Sequence, residues 1–196
     1  QDPAELHAGR SCTKEGWYHV ECADSKYKAG DDDNLHQFTL ALQIITGEHE
    51  DQKDMRGYHN LRLEKWKNWK DRSEGKEPLN EQGQKSLVAV CYAFGLLSDE
   101  DLKNERIRLP LKEISGRQAI VKVTKQDDYK VTKDGKEETR SGGYRISFNT
   151  DIYPVMHEKC KDVKKDTDYY NSWVAGIRMA GGHAPGEPST DQQADS

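Results

Sequence analysis

The apolar positions of this chain gather into a few short groups separated by long polar runs. Leu35, Phe38, Leu42 and Ile45 recur at three- and four-residue steps, the period of a helix with one apolar face. Asp33 or Asn34 stands where a cap for that helix belongs, and Gly47 stands where it would end. Leu63 and Trp66, with Trp69 three residues further on, predict a second helix over 61–71, ahead of a loop containing Gly75 and Pro78. The most continuously apolar stretch is LVAVCYAF at Leu87–Phe94. It is short and carries two valines, a tyrosine and a phenylalanine, so it predicts a central strand.

Beyond it, Ser98 and Asp101 have the spacing of a capping box and predict a short helix. Residues 106–111 predict a strand stopped by Pro110. In QAIVKVT (118–124), Ala119, Val121 and Val123 alternate onto one face of a strand. Tyr129–Thr132 predicts another, with Asp134-Gly135 as a turn signal. In YRISFNT, Tyr144, Ile146 and Phe148 share a strand face. Ile152, Val155, Met156 and Cys160 predict a helix over 151–163, where Pro154 is tolerated in the first turn. Tyr169–Met179 predicts the last strand. Residues 1–33 read as irregular.

Two helices, then strands mixed with helices out of strict alternation, point to an α+β fold. The expected architecture is a mostly antiparallel sheet with helices packed on one face. One domain is expected over 1–180, with an N-terminal helical region at about 34–72 and a disordered tail at 181–196.

Composition changes this picture in two ways. The chain has 196 residues, of which 33% are hydrophobic and 33% charged; with a mean hydropathy of -1.05, the core must be drawn from the few apolar segments above. The net charge of -5, from 30 basic and 35 acidic residues, argues against general nucleic-acid binding. No apolar run is long enough to cross a membrane as a helix.

Cys12, Cys22, Cys91 and Cys160 are even in number and widely spaced, with no CxxC and no zinc-like Cys/His spacing. Two disulfides are the expectation, with Cys12–Cys22 and Cys91–Cys160 favoured among three connectivities. Gln1 begins the sequence without Met, which fits a secreted protein whose signal peptide has been removed. Four free thiols in a reducing compartment are the rival account.

Candidate chemistry is sparse. Cys91 as a nucleophile would need a base such as His157, which lies near Cys160 in the sequence; a core residue or half of a disulfide is the plainer reading. His49 with Glu48, Glu50 and Asp51, and separately Asp31–Asp33, form small acidic clusters. Neither has the spacing of a calcium loop, and solvated charge or helix capping accounts for both. Asp151 fits a cap. No nucleotide-binding, zinc-protease or serine-hydrolase motif is present, and no cofactor or metal is expected.

The best surface feature is basic and aromatic: Arg62, Lys65, Trp66, Lys67, Trp69 and Lys70. Tryptophan beside lysine or arginine suits a partner protein, a glycan or another anionic surface; the plainer reading buries the tryptophans and leaves the lysines wet.

The CYAFG at 91–95, the strand–helix unit ending in Cys160 and the late WVAGI at 173–177 resemble small secreted fungal effector proteins of the necrosis-inducing, killer-toxin-related group. The resemblance covers Leu87–Phe94 and Tyr144–Ile177 and carries over no functional residue. It implies a secreted, disulfide-stabilised effector or toxin-like virulence protein acting on host or competitor cells. The expected function is therefore binding of a protein or cell-surface component. A secreted hydrolase or transferase acting on a glycan or nucleotide is the alternative, with a cleft holding His157, or His49 and nearby carboxylates.

Overall fold

The computed structural model describes residues 11–29, 36–64 and 80–187. It is an α+β structure built on a curled, mostly antiparallel sheet. The strands are β1 (Gly16–Lys28), β2 (Gln37–Gly47), β3 (Arg56–Arg62), β4 (Gln118–Lys125), β5 (Tyr129–Lys133), β6 (Lys136–Arg140), β7 (Tyr144–Ile146) and β8 (Ile152–Tyr153). Two α-helices lie among the described residues, α1 (Glu81–Ala93) and α2 (Thr167–Met179). The main sheet runs β3-β2-β1-β4-β7, with β8 also on β4, and β5 and β6 form a separate hairpin.

Strand β1 holds this sheet together. Gly16–Glu21 pairs with β4 on one side, and Tyr18–Lys28 pairs with β2 on the other. Its sequence alternates Tyr18, Val20 and Cys22 into the core. The register slips at Ile45, where β2 has an extra residue, and at Ala23, where β1 does. Each bulge bends the strand and adds twist, so the sheet curls around its apolar inner face.

That inner face is Tyr18, Val20, Cys22, Phe38, Leu40, Leu42, Ile44, Leu61, Val121 and Val123. Helix α1 plugs one end with Leu87, Val90, Cys91 and Phe94. Asn80 sets its start: the side-chain oxygen accepts from Gly83 N at 3.1 Å, while the side-chain nitrogen donates to Arg62 O at 2.9 Å. The first turn of the helix is thereby pressed onto the end of β3.

Several expectations need correction. Residues 37–45 of the segment expected to be a helix lie in strand β2. Its three- and four-residue spacing coexists with a period of two, Phe38, Leu40, Leu42 and Ile44, and that period faces the core. Leu87–Phe94 lies in helix α1, not in a strand. Ser86, Leu87, Val90 and Cys91 are buried at helical steps, and the capped start lies seven residues before the apolar run. Tyr169–Met179 is helix α2, and 151–163 is strand β8 followed by a single tight turn at Glu158–Cys160. Residues 106–111 form no strand, and β1 lies in the segment expected to be irregular.

Strands β4 and β5 fall where strands are expected, β7 covers only Tyr144–Ile146 of the expected YRISFNT strand, and β6 lies where no strand is expected. Asp134 and Gly135 both take positive φ, 52° and 76°, the geometry of a tight two-residue hairpin turn. Ser98 and Asp101 form the reciprocal pair: Ser98 N donates to the Asp101 carboxylate at 2.7 Å, and Asp101 N donates to Ser98 Oγ at 3.1 Å. They start one 3-10 turn, Asp101–Lys103.

The structure carries no disulfide; all four cysteines are free thiols. Cys22 and Cys91 belong to the main core, whereas Cys160 is buried outside it. This withdraws the support that paired cysteines lent to an oxidising compartment.

A methyl group added at Gly83 would sit 1.9 Å from Arg62 O, a backbone atom with little freedom to move. Gly83→Ala is expected to lower unfolding stability by about 2–3 kcal/mol through overpacking. Urea denaturation checks this, and a change within about 0.5 kcal/mol of zero would contradict the close approach of α1 to β3.

Candidate functional site

The outer side of the sheet is only partly covered. Helix α2 lies over the first half of β1. Its capping residue Asp166 donates its backbone N–H to His19 Nδ1 at 3.2 Å, and Tyr169 donates its hydroxyl to the Glu21 carboxylate. Because Nδ1 of His19 accepts, the ring proton sits on Nε2 and goes to Gln118 Oε1 at 2.9 Å. His19 is fully buried, and that burial pushes its pKa down to about 4.

Past the Ala23 bulge the outer face is open. The register puts Lys28, Gln37 and Arg62 in one row across β1, β2 and β3. The next rows are Lys26, Thr39 and Asn60, then Asp24, Ala41 and Tyr58; the bordering row Glu21, Gln43 and Arg56 lies before the bulge, where Tyr169 of α2 bonds Glu21. Four cations face two carboxylates here, although the whole chain is acidic. Thr39 donates to Asn60 Oδ1 at 2.7 Å. Tyr58 is 59% exposed, and the Arg56 guanidinium lies 6.0 Å from its ring centre. Arg56 Nε is buried with no hydrogen-bond partner among the described residues. The face therefore combines a flat aromatic ring, cations and polar side chains on rigid strands.

Two further features matter. Beyond the Gly16 end of β1, where β4 ends, β5 and β6 form a hairpin in which almost every residue is exposed. Its register sorts the charges. Lys130 pairs with Glu137 at 2.9 Å on one side. The other side carries Tyr129, Arg140, Val131, Glu138, Lys133 and Lys136, with a net excess of two positive charges. At the end nearer Arg62, Tyr27 and His36 close the base of the β1–β2 connection. The Tyr27 hydroxyl is 2.8 Å from His36 Nδ1, and His36 Nε2 is 3.6 Å from the Glu64 carboxylate.

Strands β3 and β7 end the sheet path and do not pair with each other. Between them lies a cleft of about 590 Å³, floored by apolar residues that include Val20, Leu42 and Val121 and rimmed by Tyr58, Asn60, Arg62 and Arg145. His59 and Phe148 meet across it edge to face, ring centres 5.4 Å apart at 79°. Burial pushes the His59 pKa down to about 4.

The expected site residues are scattered. Arg62 is on β3, at the rim of the cleft and in the open face. Lys65, Trp66, Lys67, Trp69 and Lys70 lie outside the described residues, as do Asp31–Asp33. His49 is bonded to Glu15 O at 2.9 Å, Glu48 to Trp17 N at 3.2 Å, Asp51 to Lys14 at 2.5 Å, and Glu50 to Lys164. That acidic cluster is thus spent on separate partners. Among the described residues no group of three or more His, Cys, Asp or Glu is arranged to hold a metal.

His157 accepts from Lys159 N at 3.2 Å and caps the turn before Cys160. Burial pushes the Cys91 thiol up to about 12 and raises that of Cys160, so both rest as neutral thiols. A helix expected over 35–45 hides the open face from the sequence. With β1, β2 and β3 read as strands, the polar alternation of Gln37, Thr39 and Gln43 with Tyr58, Asn60 and Arg62 marks it.

No protein-family model and no curated protein matches the chain. No described helix is long and apolar enough to cross a membrane.

Two outcomes are expected. A thiol reagent added to the folded protein should modify Cys12 first, because Cys22, Cys91 and Cys160 are fully buried; all four should react in denaturant without reductant. Any cysteine that needs reductant before it reacts contradicts the free-thiol structure. Stability should also fall as pH drops from about 7 towards 4. His19 is held neutral when folded, while the unfolded chain takes up a proton near the ordinary histidine pKa of about 6.5. For this fully buried ring the loss is on the order of 2–3 kcal/mol. His19→Gln should flatten that part of the pH dependence in urea titrations. An unchanged slope would show that His19 does not titrate in this way.

Proposed function

We propose that the protein acts by binding single-stranded nucleic acid across the open face of β1, β2 and β3. The fold supports this first. The sheet path β3-β2-β1-β4-β7, with α1 inserted between β3 and β4, is the strand order of a five-stranded, partly open OB barrel. Such barrels bind oligonucleotides and oligosaccharides on the faces of their second and third strands and on the connections that flank them. Here the corresponding connections are the one between β1 and β2 and the polarised β5–β6 hairpin.

The observation that carries the reading is the composition of that face. A negatively charged, unstacked strand needs cations for phosphates and flat rings for bases. Lys26, Lys28, Arg56 and Arg62 supply the first, and Tyr58 supplies the second. Beyond β3 the chain continues into the Lys65–Lys70 segment, so the expected basic–aromatic patch adjoins the same face in sequence. This departs from the inference drawn from net charge. The excess of acidic residues is a property of the whole molecule, whereas the face is locally basic.

The test is anisotropy of a labelled oligothymidine over a salt series, with duplex DNA and a neutral oligosaccharide as competitors. Binding should weaken with salt, because phosphate contacts release counterions. Tyr58→Ala should weaken it by roughly 5- to 100-fold, the range of one lost base stack. Arg62→Ala should lower the salt slope by about one. Competition by the oligosaccharide alone would transfer the face to a glycan, and wild-type binding by both variants would sink the proposal.

A further inference from the structure

The face explains how a strand is held, but not the cleft beside it. A closed barrel would pair β3 with β7; here the two edges stand apart. The inward positions of β3 at the cleft are Gly57 and His59, set by their partners Leu42 and Leu40. Those of β7 are Tyr144 and Ile146, set by Lys125 and Val123.

Gly57 leaves a blank where a strand residue would fill the gap. A methyl there would lie 2.9 Å from His59 Nε2. Phe148 holds the His59 ring edge to face, and neither the His59 ring nor the Tyr144 hydroxyl has a hydrogen-bond partner among the described residues. A neutral imidazole and a phenol thus stand unpaired at the walls of an apolar-floored slot. Both residues are half-buried and their polar atoms are not sealed from solvent; an occupant that displaced water from them without hydrogen-bonding would leave both unpaired at a cost, so the slot suits an occupant that is both flat and hydrogen-bonding.

We propose that this cleft is a base slot: one nucleobase of the bound strand leaves the outer face, passes over β3 and inserts between β3 and β7. The inference rests on the nucleic-acid reading above. Strand β3 is the lip. Its outward residues Tyr58, Asn60 and Arg62 rim the same cavity that its inward Gly57 and His59 wall, so the strand path over the face leads directly to the opening. Arg145 on the opposite rim offers a cation to the phosphate flanking the inserted base. His59 and Tyr144 supply ring-edge hydrogen bonds, and Phe148 and Tyr144 supply aromatic surface.

The experiment uses the full chain with methyl-labelled Leu and Val, followed by NMR. Three probes are added separately: a ten-residue oligothymidine, the same length of abasic deoxyribose phosphate, and free thymidine. The oligothymidine should move the Leu42 and Val121 methyls by ring current, and the abasic strand should leave them in place. Ile146→Trp fills the slot; it should abolish those shifts and weaken oligothymidine about tenfold without changing abasic affinity. Because that variant may not fold, Tyr144→Ala at the mouth is the second; it should weaken oligothymidine roughly 5- to 50-fold, the range of a lost stack.

If oligothymidine binds but the floor methyls stay still, the slot is wrong and the binding face stands. If oligothymidine does not bind, the proposed function falls. Free thymidine then decides the slot: shifted floor methyls keep it as a nucleoside site, and unshifted methyls remove it.

Discussion

Strand β1 must serve two neighbours at once. Along Tyr18–Glu21 it is laddered to β2 and β4 together, and beyond Cys22 only β2 remains. A strand in that position cannot stay straight and keep Tyr18, Val20, Cys22 and Phe38 in one core. The extra residues at Ala23 and Ile45 provide the bend. From it follow the curl of the sheet, the enclosed core that α1 plugs, and the gap left where β3 and β7 fail to meet. The bulge at Ala23 also divides the outer surface. Before it, His19 and Glu21 anchor α2; after it, Lys26 and Lys28 join Arg62 and Tyr58 on an open face.

This division separates structure from function in electrostatic terms. His19, fully covered, spends both ring nitrogens on fixed partners and stays neutral. Arg117, nearly as buried, gives its donors to the carbonyls of Glu113, Gly95 and His183. It thereby binds the C-terminal segment to the end of α1. His19 and Arg117 are thus satisfied internally, as most buried polar groups are, while Gln118 Nε2 and His183 Nε2 beside them have no partner among the described residues. Arg56 Nε, the His59 ring and the Tyr144 hydroxyl form a second group. They lie together around β3 and its cleft, and they lack partners within the described chain.

The sequence made some of this legible. Strict alternation identified β4, the Asp134-Gly135 signal identified the hairpin turn, and the Ser98–Asp101 spacing identified its capping pair. It misled where two periods fit one segment. Phe38 and Leu42 belong to a helical stripe and to a strand face alike, and only the pairing with β1 and β3 decides between them. In Leu87–Phe94 a continuous apolar run fits a central strand; a helix packed against the inner face of a curled sheet is apolar over much of its circumference for the same reason. The candidate site was legible only through Arg62, because its other members come from three strands brought together by long-range pairing. Cysteine parity carried no information about pairing here, since Cys22 and Cys91 serve as small core residues.

The account depends on the open face, more than on any single residue, being where a strand lies. Lysine footprinting tests that directly. Acetylation of each lysine is measured by mass spectrometry with and without a saturating oligothymidine. Lys26 on the open face, and Lys133 and Lys136 on the basic side of the hairpin, should lose reactivity; Lys103 and Lys161, remote from both, should not. Equal reactivity at all five, or protection confined to Lys103 and Lys161, would contradict the account.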